Sequence, residues 1–306
     1  MNLKVLNRKI KTIINNPKIL IEKLIQSLSP VLSDEVYLKL LFPIRVGYRL
    51  NLENPKTYNQ KLQWLKLHYR KPIMTKMVDK FEAKEYIKNI VGEEYVVKNL
   101  GVWDTLSQID FDSLPSKFVL KTTHDQGGVV ICEDKNTFDF KAAKNKLGKH
   151  LKRKHFLLSR EWPYKDVKPR ILAEVFLNPQ KDSSFKDYKF YCFNGLPKVM
   201  YVSMGKQEGK MTFDYFDMNY NLLNIERPSI KNSGKPSTKP KHFETMIELA
   251  EKLSYGFPHL RVDFFEVDNQ VYVGELTFFQ GGGLMPFIPS SWDNTFGDWI
   301  NLDLCK

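Results

Sequence analysis

Cysteine is scarce in this 306-residue chain: Cys132, Cys192 and Cys305 are odd in number, far apart and contain no CxxC pair. That excludes a disulfide framework and a cysteine-built zinc site, and it points to a reducing compartment. No apolar run approaches the roughly 20 residues that span a bilayer. The N-terminus carries no signal-peptide apolar core followed by small residues, so a cytoplasmic protein is expected. Nor is there an RNP, zinc-finger or helix-turn-helix signature, although the formal net charge is +12. Nucleic acid is therefore not an expected partner. An excess of this sign suits an anionic membrane face or an acidic substrate instead. The basic residues are mostly lysine and are densest in KAAKNKLGKHLKRK (141–154), which also reads as a solvated helix face.

The organisation is uneven along the chain. Residues 1–27 read as two short amphipathic helices broken at Asn16-Pro17, with Leu3, Leu6, Ile10 and Ile13 on one stripe. Such a basic helix packs on its own protein or lies on a membrane surface. Asn54-Pro55 predicts a helix start, followed by Tyr58, Leu62, Leu65 and Tyr69 at helical spacing and ended by Pro72. From about residue 79 strands outnumber helices and come as hairpins, among them DYKFYCF joined to PKVMYVSM by Asn194-Gly195. The fold class is therefore α+β with antiparallel sheets. Domain limits are expected at 1–75, a helical N-terminal region, and 76–306.

Several polar residues sit where the pattern does not call for them. In RVDFFEVDNQVYVGELTFFQGGG (261–283), two strands carry Asp263 and Glu275 among apolar residues. A three-residue loop, Asp268-Asn269-Gln270, pairs Val267 with Val271 and sets Asp263 opposite Glu275. A two-residue loop throws them to opposite faces. Like charges facing at roughly 5 Å repel. A hard cation between them would resolve this, and Mg²⁺ takes carboxylate oxygens together with phosphates. Two solvent-facing acids are the plainer alternative. Asp79 and Glu82 have capping-box spacing, which puts Lys80 at the first helical position, against the helix dipole. Lys80 then either points into water or meets an anion. Lys121 ends the strand Phe118-Val119-Leu120 and leads into TTHDQGG, where Gly127 and Gly128 let backbone N–H groups approach an anion. The turn lacks the GK[ST] of a Walker A loop. Glu174 interrupts the apolar strand ILAEVFL, and a buried carboxylate needs a partner. Asp187 and Lys189 share one face of their strand.

In order, VDKFEAK, KFVLKTTHDQGG, ILAEVFL, DYKFYCFNG, RVDFF…VYVGELT and a glycine-rich stretch before Met285-Pro286-Phe287 resemble the ATP-grasp superfamily over residues 79–290. The stretch NPKTYNQKLQWLKLHYR followed by DK resembles its TupA-like branch, named for teichuronopeptide synthesis and associated with bacterial surface polysaccharides. The resemblance implies two α+β subdomains whose antiparallel sheets sandwich ATP. On it, Lys80 and Lys121 would contact phosphates, and Gly127 and Gly128 would belong to the covering loop. Glu174 would face the adenine amino group, with Val175, Phe176 and Leu177 as hinge backbone. Asp187 would hold the ribose, with Lys189 as a further nucleotide contact. Asp263, Glu275 and Thr277 would ligate Mg²⁺, two ions being usual, and Arg261 would stabilise the reacting acyl phosphate. Arg261 and Lys121 are the catalytic candidates.

The resemblance is incomplete in two places. The metal motif commonly ends E-x-N and here ends Glu275-Leu276-Thr277. The usual Rossmann-like front end is also missing, since the residues before Lys80 show no βαβ alternation or glycine fingerprint. The implied activity is ATP-dependent carboxylate–amine ligation in capsular, O-antigen or teichuronic-type polysaccharide synthesis. A uronic acid, free, as a sugar nucleotide or in a glycan acceptor, would be amidated with an amino acid or small amine through an acyl phosphate, releasing ADP and phosphate. A peripheral contact with the inner membrane face goes with that setting. Alternatives are a glycosyltransferase, which commonly holds its metal with a D-x-D pair rather than across a hairpin, and an ATP-dependent phosphotransferase with the same nucleotide half.

Overall fold

The computed structural model describes residues 17–177, 186–205 and 209–305. The stripe Leu3, Leu6, Ile10 and Ile13 lies outside them. Pro17 opens the first described helix, α1 (Pro17–Ser27), at a position where a missing N–H costs no helical bond. Helix α2 (Asp34–Val46) begins at Ser33, whose hydroxyl accepts the Val36 amide, and stops at Gly47 in the left-handed region, φ 95°.

Helix α3 (Tyr58–His68) departs from the expected start. Thr57, not Asn54, caps it, through a reciprocal capping box with Gln60. The Asn54 amide instead donates to Asn51 Oδ1, which closes a turn before the helix. Pro72 does not end α3, which stops at Tyr69; it precedes the next short helix, α4 (Ile73–Val78). Helix α5 (Glu82–Val91) follows.

Two antiparallel sheets form the body. The smaller contains β1 (Asn99–Trp103), β2 (Phe118–Thr122), β3 (Val129–Cys132) and β4 (Ile171–Val175), in the order β1-β4-β2-β3. Helix α6 (Phe140–Leu151) lays Leu147 against it, in a cluster with Phe118, Leu120, Ile171 and Ala173, and the single turn α7 (Phe156–Ser159) follows. The larger contains β5 (Asp187–Phe193), β6 (Leu196–Met204), β7 (Thr212–Asp217), β8 (Leu222–Leu223), β9 (His259–Val267) and β10 (Gln270–Thr277), in the order β10-β9-β5-β6-β7-β8. Asn194 and Gly195, both at positive φ, close the β5–β6 hairpin as the Asn-Gly pair anticipates. The α+β class read from the sequence is the observed one.

The main core belongs to the larger sheet and to helix α8 (Phe243–Ser254), whose Phe243, Met246, Leu249 and Leu253 are buried on it. Helix α9 (Ser291–Trp299) and α3 also pack there. Tyr58 of α3 meets Tyr191, Phe193, His259, Phe287 and Phe296 edge-on. Helix α3 thus shares the core of the strands that follow residue 76. A separate cluster joins Ile25, Tyr37, Leu38, Leu41 and Phe42 to Leu284 of the C-terminal segment. Tyr37 Oη donates to Leu158 O (2.9 Å) and Arg160 Nη2 to Ser29 O (2.5 Å), which ties α1 and α2 to the body. Among the described residues no helix is long and apolar enough to cross a membrane.

Candidate active site

The hairpin β9–β10 sets the acids face to face by a route other than the expected one. Val267 pairs with Gln270, so the turn is the two residues Asp268 and Asn269. Both have positive φ, 50° and 65°, the signature of a tight hairpin turn that matches strand twist. Continued regularly, that ladder would set Asp263 opposite Gly274 and turn Glu275 to the other face. The register instead shifts between Val273 and Glu275, and Asp263 pairs with Glu275. The extra residue sits in a bulge at Gly274 rather than in the loop.

Around that pair the larger sheet gathers a buried charge cluster. Arg261, two residues back on the same face, donates from Nε to Asp263 Oδ1 (2.5 Å) and from Nη2 to Oδ2 (2.6 Å). Its Nη2 also donates to Thr277 Oγ1 (3.1 Å) and lies 3.8 Å from Glu275. Lys189 stands opposite Asp263 in the β5–β9 ladder, with Nζ 2.5 Å from Asp263 and 3.6 Å from Asp187. Burial opposes the Asp263 charge, yet Arg261 and then Lys189 outweigh it and hold this carboxyl below the usual range. Burial likewise opposes the Lys189 charge, and Asp263 and Asp187 lift its ammonium above the ordinary value. The structure therefore brings Asp187, Lys189, Arg261, Asp263, Glu275 and Thr277 together.

These donors fit a hard divalent cation: two carboxylates and a hydroxyl, all oxygen, lie on one face of adjacent strands. Among the described residues there is no preformed group of three or more His, Cys, Asp or Glu side chains able to hold a metal. Both Asp263 oxygens carry N–H donors instead.

A second charge group lies in the smaller sheet. Glu174 is buried and pairs with both Lys121 and Lys84, the latter at 2.5 Å. Burial raises the Glu174 carboxyl, but Lys121 and Lys84 together pull it below its ordinary value of 4.5. Lys84 also donates to Val97 O (2.7 Å). The sequence reading missed Lys84, which lies in the first turn of α5 and carries no motif signal. The Val175 amide is used in a backbone bond to Lys98 O (3.1 Å), and Phe176 and Leu177 follow the end of β4.

Lys80 resolves differently from either expectation. The Asp79 carboxylate accepts the amides of Phe81 (2.8 Å) and Glu82 (3.4 Å), the forward half of a capping box. The return half is absent, because Asp79 and Glu82 both turn to Arg170. Lys80 Nζ donates to Asp125 O, and its amide to Thr123 O (3.1 Å), so the lysine meets the glycine turn. Within that turn Thr122 bonds the Asp125 carboxylate, which also takes His150 at 2.5 Å. Gly127 has φ 85°, and a Cβ on Gly128 would lie 1.9 Å from Thr122 Oγ1. Both glycines are required by the turn. The D-x-D spacing at Asp110-Phe111-Asp112 occurs elsewhere, in an exposed turn where Asp110 Oδ1 accepts the Asp112 amide (3.0 Å).

A family model described as TupA-like ATP-grasp matches residues 60–301. No curated protein matches the chain. Among solved structures, a D-alanine–D-alanine ligase from Helicobacter pylori aligns with TM-score 0.43 at 14% identity, covering 81% of this chain and 70% of that one. An ATP-grasp RimK domain protein from Sphaerobacter thermophilus aligns with TM-score 0.39 at 12% identity, over 74% of this chain and 69% of that one. The ATP-grasp ligase PsnB, solved with a precursor variant, Mg and ADP, aligns with TM-score 0.40 at 10% identity, over 81% and 66%. A second D-alanine–D-alanine ligase, from Bacillus anthracis and complexed with ATP, has 60% of its length covered.

Proposed function

This chain belongs to the TupA-like ATP-grasp family and is an ATP-dependent ligase; from that premise we propose that it joins a carboxylate to an amine. The observation that carries the reading is the Asp263–Glu275 register, with Arg261, Lys189 and Thr277 around it. On this reading Lys80, Lys121, Gly127 and Gly128 attend the phosphates. Glu174, with the backbone of Val175 to Leu177, lies beside the base, and Asp187 and Lys189 beside the ribose. Asp263, Glu275 and Thr277 would hold Mg²⁺, which supplies positive charge to the transferring phosphoryl group. Arg261 fixes the Asp263 carboxylate and stands next to the charge that develops on the acyl phosphate. The chain's share of the work is positioning and electrostatics. Carboxylate oxygen attacks the γ-phosphorus and ADP leaves; the amine then attacks the acyl carbon, and phosphate and the amine's proton depart as the amide forms.

We further propose a uronic acid as the carboxylate and an amino acid or small amine as its partner, in bacterial surface-polysaccharide synthesis. Family resemblance and the net charge of +12 support this class. The cytoplasm, at the inner membrane face, is the corresponding place. Calorimetric titration of a non-hydrolysable ATP analogue, with and without Mg²⁺, tests the nucleotide half on wild type and Asp263→Asn. Metal-dependent binding that the variant loses is expected; metal-independent or unchanged binding would refute the assignment. ADP release in the presence of UDP-uronates and an amine panel then tests the substrate class.

A further inference from the structure

The segment His155–Tyr164 holds buried polar groups that none of the nucleotide contacts use. His155 Nδ1 and Nε2, Glu161 Oε2 and Tyr164 Oη have no hydrogen-bond partner, and the three residues are 9%, 3% and 5% exposed. They lie together. His155 Nε2 is 3.7 Å from Glu161 Oε1, and the His155 and Tyr164 rings meet edge-on at 4.8 Å. A buried carboxylate oxygen without a donor is expensive. Three adjacent side chains in that condition describe a place prepared for a guest.

The backbone is bent to make this place. Arg160 adopts the left-handed conformation, φ 57°, unusual for a branchless cation and strained. At the bend the Arg160 side chain, itself buried, reaches Ser29, Leu32 and Asp34, while Glu161 turns to Ser159 and His155. The opposite wall is the glycine loop. A Cβ on Gly282 would lie 2.8 Å from Ser159 Cβ and 3.6 Å from Glu161 Oε1. Lys66 ties the two walls together by donating to Ser159 O (2.6 Å) and Gly282 O (2.5 Å). The Tyr164 phenol is pushed well above its ordinary value by burial, then by Glu275 and by Glu161, so one side chain senses both this pocket and the hairpin acids.

The chemistry selects the guest. Burial raises the Glu161 carboxyl, but His155 and Lys66 bring it below its ordinary value, so it is an ionised acceptor. Lys66 cannot fill the free oxygen, because its third N–H goes to Gln63 Oε1 (2.8 Å). An anion would find donors in a His155 N–H, the Tyr164 hydroxyl and Trp162 Nε1, but it would share the buried site with the like charge of Glu161, and the donors of Lys66 are already spent. An ammonium group brings three N–H donors to a carboxylate, an imidazole and a phenol. We propose that Glu161, His155 and Tyr164 form the pocket for the head group of the amine substrate, with Glu161 as its counter-ion. The assignment rests on the ligase reading, in which the nucleophile is an amine.

Thermal-shift titrations with ammonium, methylammonium, ethanolamine and glycine test it, run with and without the Mg²⁺–ATP analogue. Wild type should be stabilised by at least one of these amines and not by acetate. Glu161→Gln should abolish the shift, Tyr164→Phe should cut it by more than half, and Glu161→Asp should restore part of it. The nucleotide shift should be equal in all four proteins. If no amine stabilises wild type, or the amine shift survives in Glu161→Gln, the pocket holds only water and the proposal is wrong. If Glu161→Gln does not fold, an undiminished shift in Tyr164→Phe overturns it equally. A missing nucleotide shift in wild type would fell the ligase reading, while the amine titration run without nucleotide still judges the pocket.

Discussion

On the proposed reading, Lys121 serves the fold, as a partner of buried Glu174, and the phosphate site together. Glu174 is buried between two lysines, so removing Lys121 leaves Lys84 as its partner and the charge is not orphaned. Lys121→Ala should therefore fold, with cooperative unfolding retained, yet lose at least about a hundredfold in turnover, as loss of one preorganised donor does. A near-normal rate would remove Lys121 from the phosphate site. The same triad makes a pH prediction. The folded carboxyl of Glu174 lies below 4.5, its ordinary value. Its stabilising contribution is complete above the unfolded value and is lost as pH falls through the folded one. Wild type should lose melting temperature on acidification below about pH 4.5 more steeply than Glu174→Gln, whose group does not titrate. Parallel acid limbs for the two proteins would contradict this.

At the scale of elements, the hairpin explains what the sequence could and could not disclose. Strand identity and the Asn194-Gly195 turn follow from alternation and turn residues. The facing of Asp263 and Glu275 does not, because the two-residue loop that forms would by itself put the acids on opposite faces. One extra residue shifts the count equally whether it sits in the loop or in a bulge, and the sequence favours neither. At the bulge a Cβ on Gly274 would lie 3.3 Å from the Phe265 ring, a contact visible only in the folded pair of strands. Helix starts were misread for a similar reason. Asn54-Pro55 has the local chemistry of a cap, but the Asn51 turn and the Thr57–Gln60 pair decide where α3 begins. Lys84, Glu161 and Tyr164 carried no motif signal, since their roles come from contacts between elements distant in sequence. The bulge also yields a test. Deleting Gly274 restores a regular ladder that still pairs Phe264 with Val273 and Asp263 with Glu275. Metal-dependent nucleotide binding should survive the deletion, by the same calorimetry. Asn269→Val, which forces a β-branched residue to φ 65°, should destabilise the protein by about 1–2 kcal/mol in urea titration.

For the whole molecule, charge and topology divide the labour. The two sheets place acids and bases in small mixed groups: Asp187, Asp263 and Glu275 with Lys189 and Arg261, and Glu174 with Lys84 and Lys121. Taken together these groups carry no net charge, so the +12 of the chain lies outside them, mainly on the surface. A surface of one sign raises the encounter rate of an oppositely charged substrate and does so less as salt rises, because the screening length shrinks to about 8 Å at physiological ionic strength. On the proposed reading the chemical step lies in the buried clusters, which salt screens far less. If the carboxylate substrate is an acidic sugar carrying a diphosphate, kcat/KM should fall several-fold between about 20 and 300 mM salt while kcat changes little. Steady-state ADP release at fixed Mg²⁺–ATP, read across that range, separates the two constants. A flat kcat/KM would mean that the basic surface serves some other contact and that the substrate approaches as a neutral molecule. A fall in kcat alone would place the salt effect in the buried clusters rather than in the encounter.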